Sequence, residues 1–320
     1  MKDLRNHPTC LTRRRFLTTA VCSGAALVVT NQLQSGTREA PVIDTHMHVW
    51  SDDPERFPYK EGIKLSKVGT MELLLDEMGK NDVDYCVLVQ SIHHEWDNRY
   101  VAHCLRAQPK RFRVQGLVDP TKAGVEKKLE YWMKEHAFSG VRLRPIYHRG
   151  DDEWLTAKSS YPLWETAERL GAIFSFYIGT EQLPKLEVML KRFPQVPVVI
   201  DHLSQIDLKA KDPLPEMKKL LALAPYPQVW VKVSELASVS KSGVYPFSDA
   251  YSWVKMVYDA FGPDRLLWGT GYPGPAARAA ARRPTVAEEL AIIRDKISFF
   301  TAEDQAKILG LNAQKLWKFG

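Results

Sequence analysis

Two histidines, His46 and His48, stand one residue apart in Pro41-Val42-Ile43-Asp44-Thr45-His46-Met47-His48-Val49-Trp50. A β-strand repeats every two residues, so both imidazoles leave the same face if this run is extended. Imidazole is the commonest metal-ligating side chain and exchanges protons near neutral pH. The pair therefore offers a perch for a metal, or a polarising contact to a carbonyl. The plain alternative is two hydrogen-bonded polar residues at a strand end. Other chemistry-bearing residues recur along the chain: His93 and His94, Asp119, Arg142 and Arg144 (again one residue apart), Tyr177, His202, and Ser234 with Glu235. Trp50 and Trp96 could flank a ring-shaped substrate, although such aromatics are more often packing.

These residues need elements to position them. Eight short runs are rich in Val, Ile, Leu or Phe, as parallel strands covered on both faces should be: 42–49, 85–91, 112–118, 140–144, 172–178, 198–202, 229–234 and 265–269. Amphipathic segments alternate with them at 71–80, 98–108, 124–136, 161–170, 183–193, 215–223, 250–261 and 286–299. Eight right-handed strand–helix units predict an α/β fold, the (β/α)8 TIM barrel, with an extra C-terminal helix over 302–318 packed on its outside. An open doubly wound sheet is disfavoured because no Gly-rich phosphate loop follows the first strand. In a barrel, chemistry sits at the carboxyl ends of the strands. His46, His48, His93, His94, Asp119, Arg142, Arg144, Tyr177, His202, Ser234 and Glu235 all fall there, whereas His103 and His136, on helices, read as surface.

The chain has 320 residues, 45% of them apolar, and a formal charge of +6. Six basic and two acidic residues lie in the first forty positions, leaving 38 basic and 36 acidic beyond them. The basic balance thus gives no reason to expect a nucleic-acid partner; a small-molecule substrate is the expected one. Arg278, Arg282 and Arg283 cluster in one late loop. Thr12-Arg13-Arg14-Arg15-Phe16-Leu17 is a twin-arginine pattern, followed by an apolar stretch over 16–30 and a polar segment. Residues 1–40 therefore read as an export signal and linker, and 41–320 as one domain delivered to the periplasm or the exterior. The stretch is too short and too rich in Ala, Gly, Ser and Thr for a membrane span. An N-terminal helix, a disordered tail or a lipoprotein signal at Cys22 are the alternatives. Cys10 and Cys22 would leave with the signal; Cys86 and Cys104 read as buried small apolar groups. Oligomeric state is not legible.

The chain resembles the amidohydrolase superfamily, in its amidohydrolase-related branch, and most nearly the sugar and dicarboxylate lactonases. The residues that carry this are Val42-Ile43-Asp44-Thr45-His46-Met47-His48, Gly140-Val141-Arg142-Leu143-Arg144-Pro145, Val199-Ile200-Asp201-His202, Trp230-Val231-Lys232-Val233-Ser234, Leu267-Trp268-Gly269-Thr270-Gly271-Tyr272-Pro273 and Ile308-Leu309-Gly310-Leu311-Asn312-Ala313. Gln90 through Tyr100 also resembles the lactonase group. Two positions depart from the pattern. Gly271 stands where the family carries the strand-eight aspartate, its general base. Tyr177 stands where metal-using relatives commonly offer a histidine.

The resemblance implies hydrolysis of a lactone or similar cyclic ester of a sugar acid or dicarboxylate. His46 and His48 would polarise the carbonyl, with one divalent ion (zinc or manganese) or none. Arg142 and Arg144 would bind a substrate carboxylate or steady the oxyanion, beside His93 and Trp50. With the aspartate gone, His202 is the first candidate base and Glu235 the second. Strand alternation turns Asp201 away from the pocket if His202 faces it. A non-oxidative decarboxylase is a second enzyme reading, opposed by Gly271. A ligand-binding protein on a decayed hydrolase scaffold is a third.

Overall fold

A computed structural model describes residues 40–63, 69–273 and 283–320. The expected export signal lies outside the described residues, Ala40 excepted. So do Arg278 and Arg282. None of the described helices is long and apolar enough to cross a membrane.

Eight parallel strands lie in the order of the sequence: β1 (Ile43–Met47), β2 (Tyr85–Val89), β3 (Phe112–Leu117), β4 (Gly140–Leu143), β5 (Ile173–Phe176), β6 (Val198–Ile200), β7 (Val229–Ser234) and β8 (Leu266–Gly269). The last closes on the first just beyond its end. Gly271 N donates to the His46 carbonyl (2.6 Å), and His48 N donates to the Tyr272 carbonyl (2.7 Å). The result is the expected (β/α)8 barrel, not the open sheet.

Helices separate the strands and cover the outer face. They include Met71–Lys80, Arg99–Ala107, Val125–His136, Tyr161–Leu170, Leu183–Arg192, Leu214–Leu221 and Tyr251–Phe261. Outward residues such as Val198, Ile200, Val229, Val231, Val233, Phe174 and Phe176 pack into the main apolar core beneath them. Cys86 and Cys104 are buried free thiols in that core, as expected.

The eighth helix stops short of its predicted end. Val286–Ala291 runs into a wide π-type turn, Ile292–Lys296, and the helix ends there. The C-terminal segment was expected on the outside of the barrel. Instead Ala313, Trp317 and Phe319 form a second apolar cluster with Ile43, Val87, Ile173, Val199 and Leu267. Arg113, near the start of β3, donates to the Trp317 (3.1 Å) and Lys318 (2.9 Å) carbonyls. The segment therefore plugs the amino end of the barrel. It approaches so closely that a Cβ at Gly310 would lie 1.7 Å from the Pro41 carbonyl oxygen.

Candidate active site

At the carboxyl end of β1, His46 and His48 converge as their spacing implied. Their Nε2 atoms are 3.2 Å apart. His48 Nδ1 lies 2.7 Å from the Val89 carbonyl, an acceptor only, so Nδ1 carries that ring's proton and Nε2 keeps a lone pair. Burial, reinforced by Arg142, lowers the His48 pKa to about 3. Burial and then the Lys232 cation hold His46 well below its ordinary value. Both imidazoles are neutral at pH 7. Asp44, two residues before His46, ties β1 to Thr270 just past β8. It accepts from Thr270 Oγ1 (2.6 Å), Thr270 N and His46 N (2.8 Å). Its burial outweighs these bonds and raises its pKa to about 6.

Beneath the imidazoles lies a buried ionic cluster centred on Asp201. Arg142 Nε donates to Asp201 Oδ2 at 2.7 Å, and Lys232 Nζ is 3.0 Å from Oδ1. Lys232 also reaches His46 Nδ1 at 3.1 Å. Neither Lys232 nor Asp201 is exposed. Burial pushes the Asp201 pKa up, but the Lys232 and Arg142 cations overcome it and hold the carboxyl well below its usual range. Asp201 does not line the cleft that His202 lines, but its carboxylate turns in beneath the imidazoles. β6 ends at Ile200, so strand alternation no longer governs the two residues that follow. Lys232 was missed as a site residue. Its signal was present: one lysine inside the apolar run Val229-Trp230-Val231-Lys232-Val233.

His202 opens a left-handed turn in which His202, Leu203, Ser204 and Gln205 all have φ between 50° and 56°. Non-glycine residues pay about 1–2 kcal/mol each for that conformation. Packing holds the turn, since Leu203 and Ser204 are wholly buried. It brings the His202 ring within 4.4 Å of the His46 ring, with Nδ1 2.8 Å from Ser234 Oγ. Burial lowers its pKa to about 4, against the pull of Glu235 and Asp201.

Glu235, also left-handed (φ 52°), follows β7 and turns its carboxylate inward. Oε1 is 3.7 Å from His202 Nε2 and 3.1 Å from Arg283 Nη2. A Cβ on Gly271 (φ 68°) would lie 2.6 Å from that Oε1 and 2.7 Å from that Nη2. The volume over Gly271 is thus filled by a carboxylate and a guanidinium from other elements. Behind them Glu289 is buried, and desolvation raises its pKa to about 8. Nothing in the helical pattern marked Glu289 as different from its exposed neighbours.

His46, His48, Arg142, His202, Glu235 and Arg283 line one open cleft of about 630 Å3, together with Trp50, Ser91, Ile92, His93, Tyr147 and Tyr177. His93 packs on Trp50 with ring centroids 4.5 Å apart. Tyr177 lies under Arg142, whose guanidinium carbon is 4.6 Å from the ring. His94 stays outside, because Nδ1 faces the Pro58 carbonyl and Nε2 accepts from Ser51 N. Asp119 closes a local turn with Thr121. Arg144 and Trp96 stand at the rim, Arg144 lying over the Trp96 and Tyr147 rings. His103 and His136 are half-buried against aromatic rings, not free on the surface.

The family model for amidohydrolases matches residues 43–319. The chain belongs to the amidohydrolase family. Within it, the chain is similar to an L-fucono-1,5-lactonase of Burkholderia ambifaria, 24% identical over 72% of this chain and 80% of that one. A 4-sulfomuconolactone hydrolase of Hydrogenophaga intermedia is 24% identical over 86% and 88%. An amidohydrolase of Burkholderia multivorans, solved with bound zinc, superposes with a TM-score of 0.72 at 19% identity, over 88% of this chain and all of that one. That last likeness establishes the shared fold.

The donor set of this amidohydrolase fits a divalent ion in one arrangement. Two imidazoles on tetrahedral zinc have nitrogens about 3.3 Å apart, close to the 3.2 Å between His46 and His48 Nε2. Neutral imidazoles have the lone pairs a metal requires. Asp201 is near His46 and His202, but its oxygens already face Lys232 and Arg142. His46 and His48 are therefore the better ligand pair, with His202 and Glu235 beside it.

Proposed function

We propose that this protein is an exported hydrolase that opens a lactone or similar cyclic ester of a sugar acid or dicarboxylate. One observation carries the reading. Three neutral imidazoles, the Glu235 carboxylate and the Arg142 guanidinium converge on a single cleft at the carboxyl end of a closed barrel. The named activities of the lactonase relatives support it, and the twin-arginine pattern supports export to the periplasm.

His202 is the base. A water within reach of His202 Nε2 and Glu235 gives its proton to the imidazole as its oxygen adds to the lactone carbonyl. Glu235, 3.7 Å away, steadies the imidazolium that forms, as a carboxylate does in hydrolytic triads. Arg142 keeps guanidinium nitrogens beyond the one given to Asp201, and these stabilise the developing oxyanion. His46 and His48 would hold a divalent ion, which would polarise the carbonyl as a Lewis acid. The ring C–O bond then breaks, and the proton on His202 passes to the departing alkoxide, giving a hydroxy acid.

The test is a panel of aldonolactones and pyrone carboxylates, followed by proton release, with and without a chelator. Turnover of at least one lactone is expected. Absence of hydrolysis across the panel, with and without added zinc or manganese, would end the reading.

A further inference from the structure

Spacing suits the His46–His48 pair to an ion, but proton placement is a separate condition. A neutral imidazole has one lone pair, and its hydrogen-bond partners decide which nitrogen holds it. His48 is settled by the Val89 carbonyl: Nδ1 carries the proton and Nε2 the lone pair. His46 is settled from below. Its Nδ1 lies 3.1 Å from Lys232 Nζ, and Lys232 Nζ lies 3.0 Å from Asp201 Oδ1. An ammonium has three N–H donors and no acceptor. Lys232, paired with the Asp201 carboxylate, therefore donates to Nδ1, and the His46 proton goes to Nε2. There it faces the lone pair of His48 Nε2, 3.2 Å away. The hydrogen bonds thus run in one direction, from Lys232 to His46 to His48 to the Val89 carbonyl. The reverse direction is closed, because that carbonyl cannot donate.

Asp201 competes for the same imidazole nitrogen. Its Oδ1 is 3.6 Å from His46 Nδ1, beyond hydrogen-bond reach. Histidines that ligate a metal through one nitrogen almost always donate the other N–H to a carboxylate, a backbone carbonyl or water. Asp201 lies near that position, but the lysine is closer. Charge balance does not require the lysine. Arg142 already pairs with Asp201 at 2.7 Å, and Lys232 adds a second cation with no exposed surface. A buried charge costs several kcal/mol, so a surplus one points to a role beyond neutralising Asp201.

We infer that Lys232 is a positioning residue that withholds His46 from a divalent ion: by donating to Nδ1 it fixes the ring's proton on Nε2, aimed at His48. With Lys232 in place the two rings present one hydrogen bond between them rather than two lone pairs. An ion enters only when the His46 proton moves to Nδ1, where Asp201 can accept it. The inference rests on the histidine site proposed above and not on turnover of any substrate.

Two measurements on the full chain near pH 7 test it. The first is proton–nitrogen NMR on chelator-treated protein labelled at histidine, with the His46 signals assigned by their loss in His46→Asn. His46 protonated on Nε2 is expected in wild type, and His46 protonated on Nδ1 would overturn the inference. The second compares zinc affinity of wild type and Lys232→Met by competition with a chromophoric chelator. Lys232→Met keeps the stem and removes the donor. It should bind zinc roughly 10- to 100-fold more tightly, the size of effect that such outer partners have on metal sites, and should shift the His46 proton toward Nδ1. Unchanged or weaker binding would overturn the inference. Damage to the fold weakens binding, so a gain separates positioning from a merely structural role. If Lys232→Met does not fold, the wild-type spectrum decides alone. Neither measurement uses a lactone, so a failure of hydrolysis leaves both readable.

Discussion

The two ends of this barrel are built from the same eight strands and solve opposite problems. At the amino end, Ile43, Val87, Ile173, Val199 and Leu267 meet Trp317 and Phe319 in a dry plug. At the carboxyl end, the interior holds Asp201, Lys232, Arg142 and three imidazoles. The plug gains from removing apolar surface from water, about 25 cal/mol per Å2. The mouth gains little net stability, because each buried charge costs several kcal/mol before its partner returns it. Even within the mouth there is a gradient. Asp201 is paired with both Arg142 and Lys232. The Glu235–Gly271–Glu289 side combines a left-handed glutamate with a buried carboxyl whose pKa is displaced upward. Structure rests on the plug and on Asp201; the reacting groups are held by elements that carry strain.

Removing Asp201 should have the largest effect. Asp201→Ala leaves Lys232 and Arg142 buried without their anion, a loss of about 3–5 kcal/mol, and should abolish turnover; urea denaturation and a lactone assay read the two together. Trp317→Ala should destabilise by a similar 3–5 kcal/mol through the cavity it opens. Here the folded fraction should keep its kcat/KM, and a fall in kcat/KM would show that the two ends are not independent.

Glu235→Gly should reverse that pattern. It relieves a left-handed glutamate at the entropic cost of a glycine, so stability should stay within about 1 kcal/mol of wild type. Turnover should fall about a hundredfold or more. A large stability loss with activity intact would make Glu235 a structural residue.

The smallest effect is a pH dependence at Glu289. Its pKa is about 8 when folded and near the ordinary 4.5 when unfolded. Between those values the folded state holds the extra proton, so stability contributed below pH 4.5 is lost as pH rises toward 8. Glu289→Gln removes that loss. Its melting temperature should match wild type near pH 5 and exceed it by pH 8. Water entry and relaxation trim the full shift, and the gain is on the order of 2 kcal/mol. A pH-independent difference would contradict the displaced carboxyl.

Much of this molecule could be read from the chain. Periodicity located all eight strands, and the Tyr161–Leu170 and Met71–Lys80 helices match their predicted bounds. The spacing of His46 and His48 implied convergence, and their Nε2 atoms meet at 3.2 Å. The reading failed where local rules stop. Asp201 and His202 lie past the end of β6, and His202 opens a left-handed turn of ordinary residues that no glycine announces. The C-terminal segment carries an amphipathic pattern that fits a helix on the wall or across the barrel's end equally well.

The order of strands and helices, and which residue types reach the barrel mouth, follow from the amino-acid sequence because they depend on local periodicity. Which arginine finds a carboxylate, which imidazoles lose their protons, and which side chain fills the space above Gly271 were settled by the tertiary structure alone. Those outcomes depend on distances and desolvation between groups far apart in the chain, and no short-range pattern encodes them.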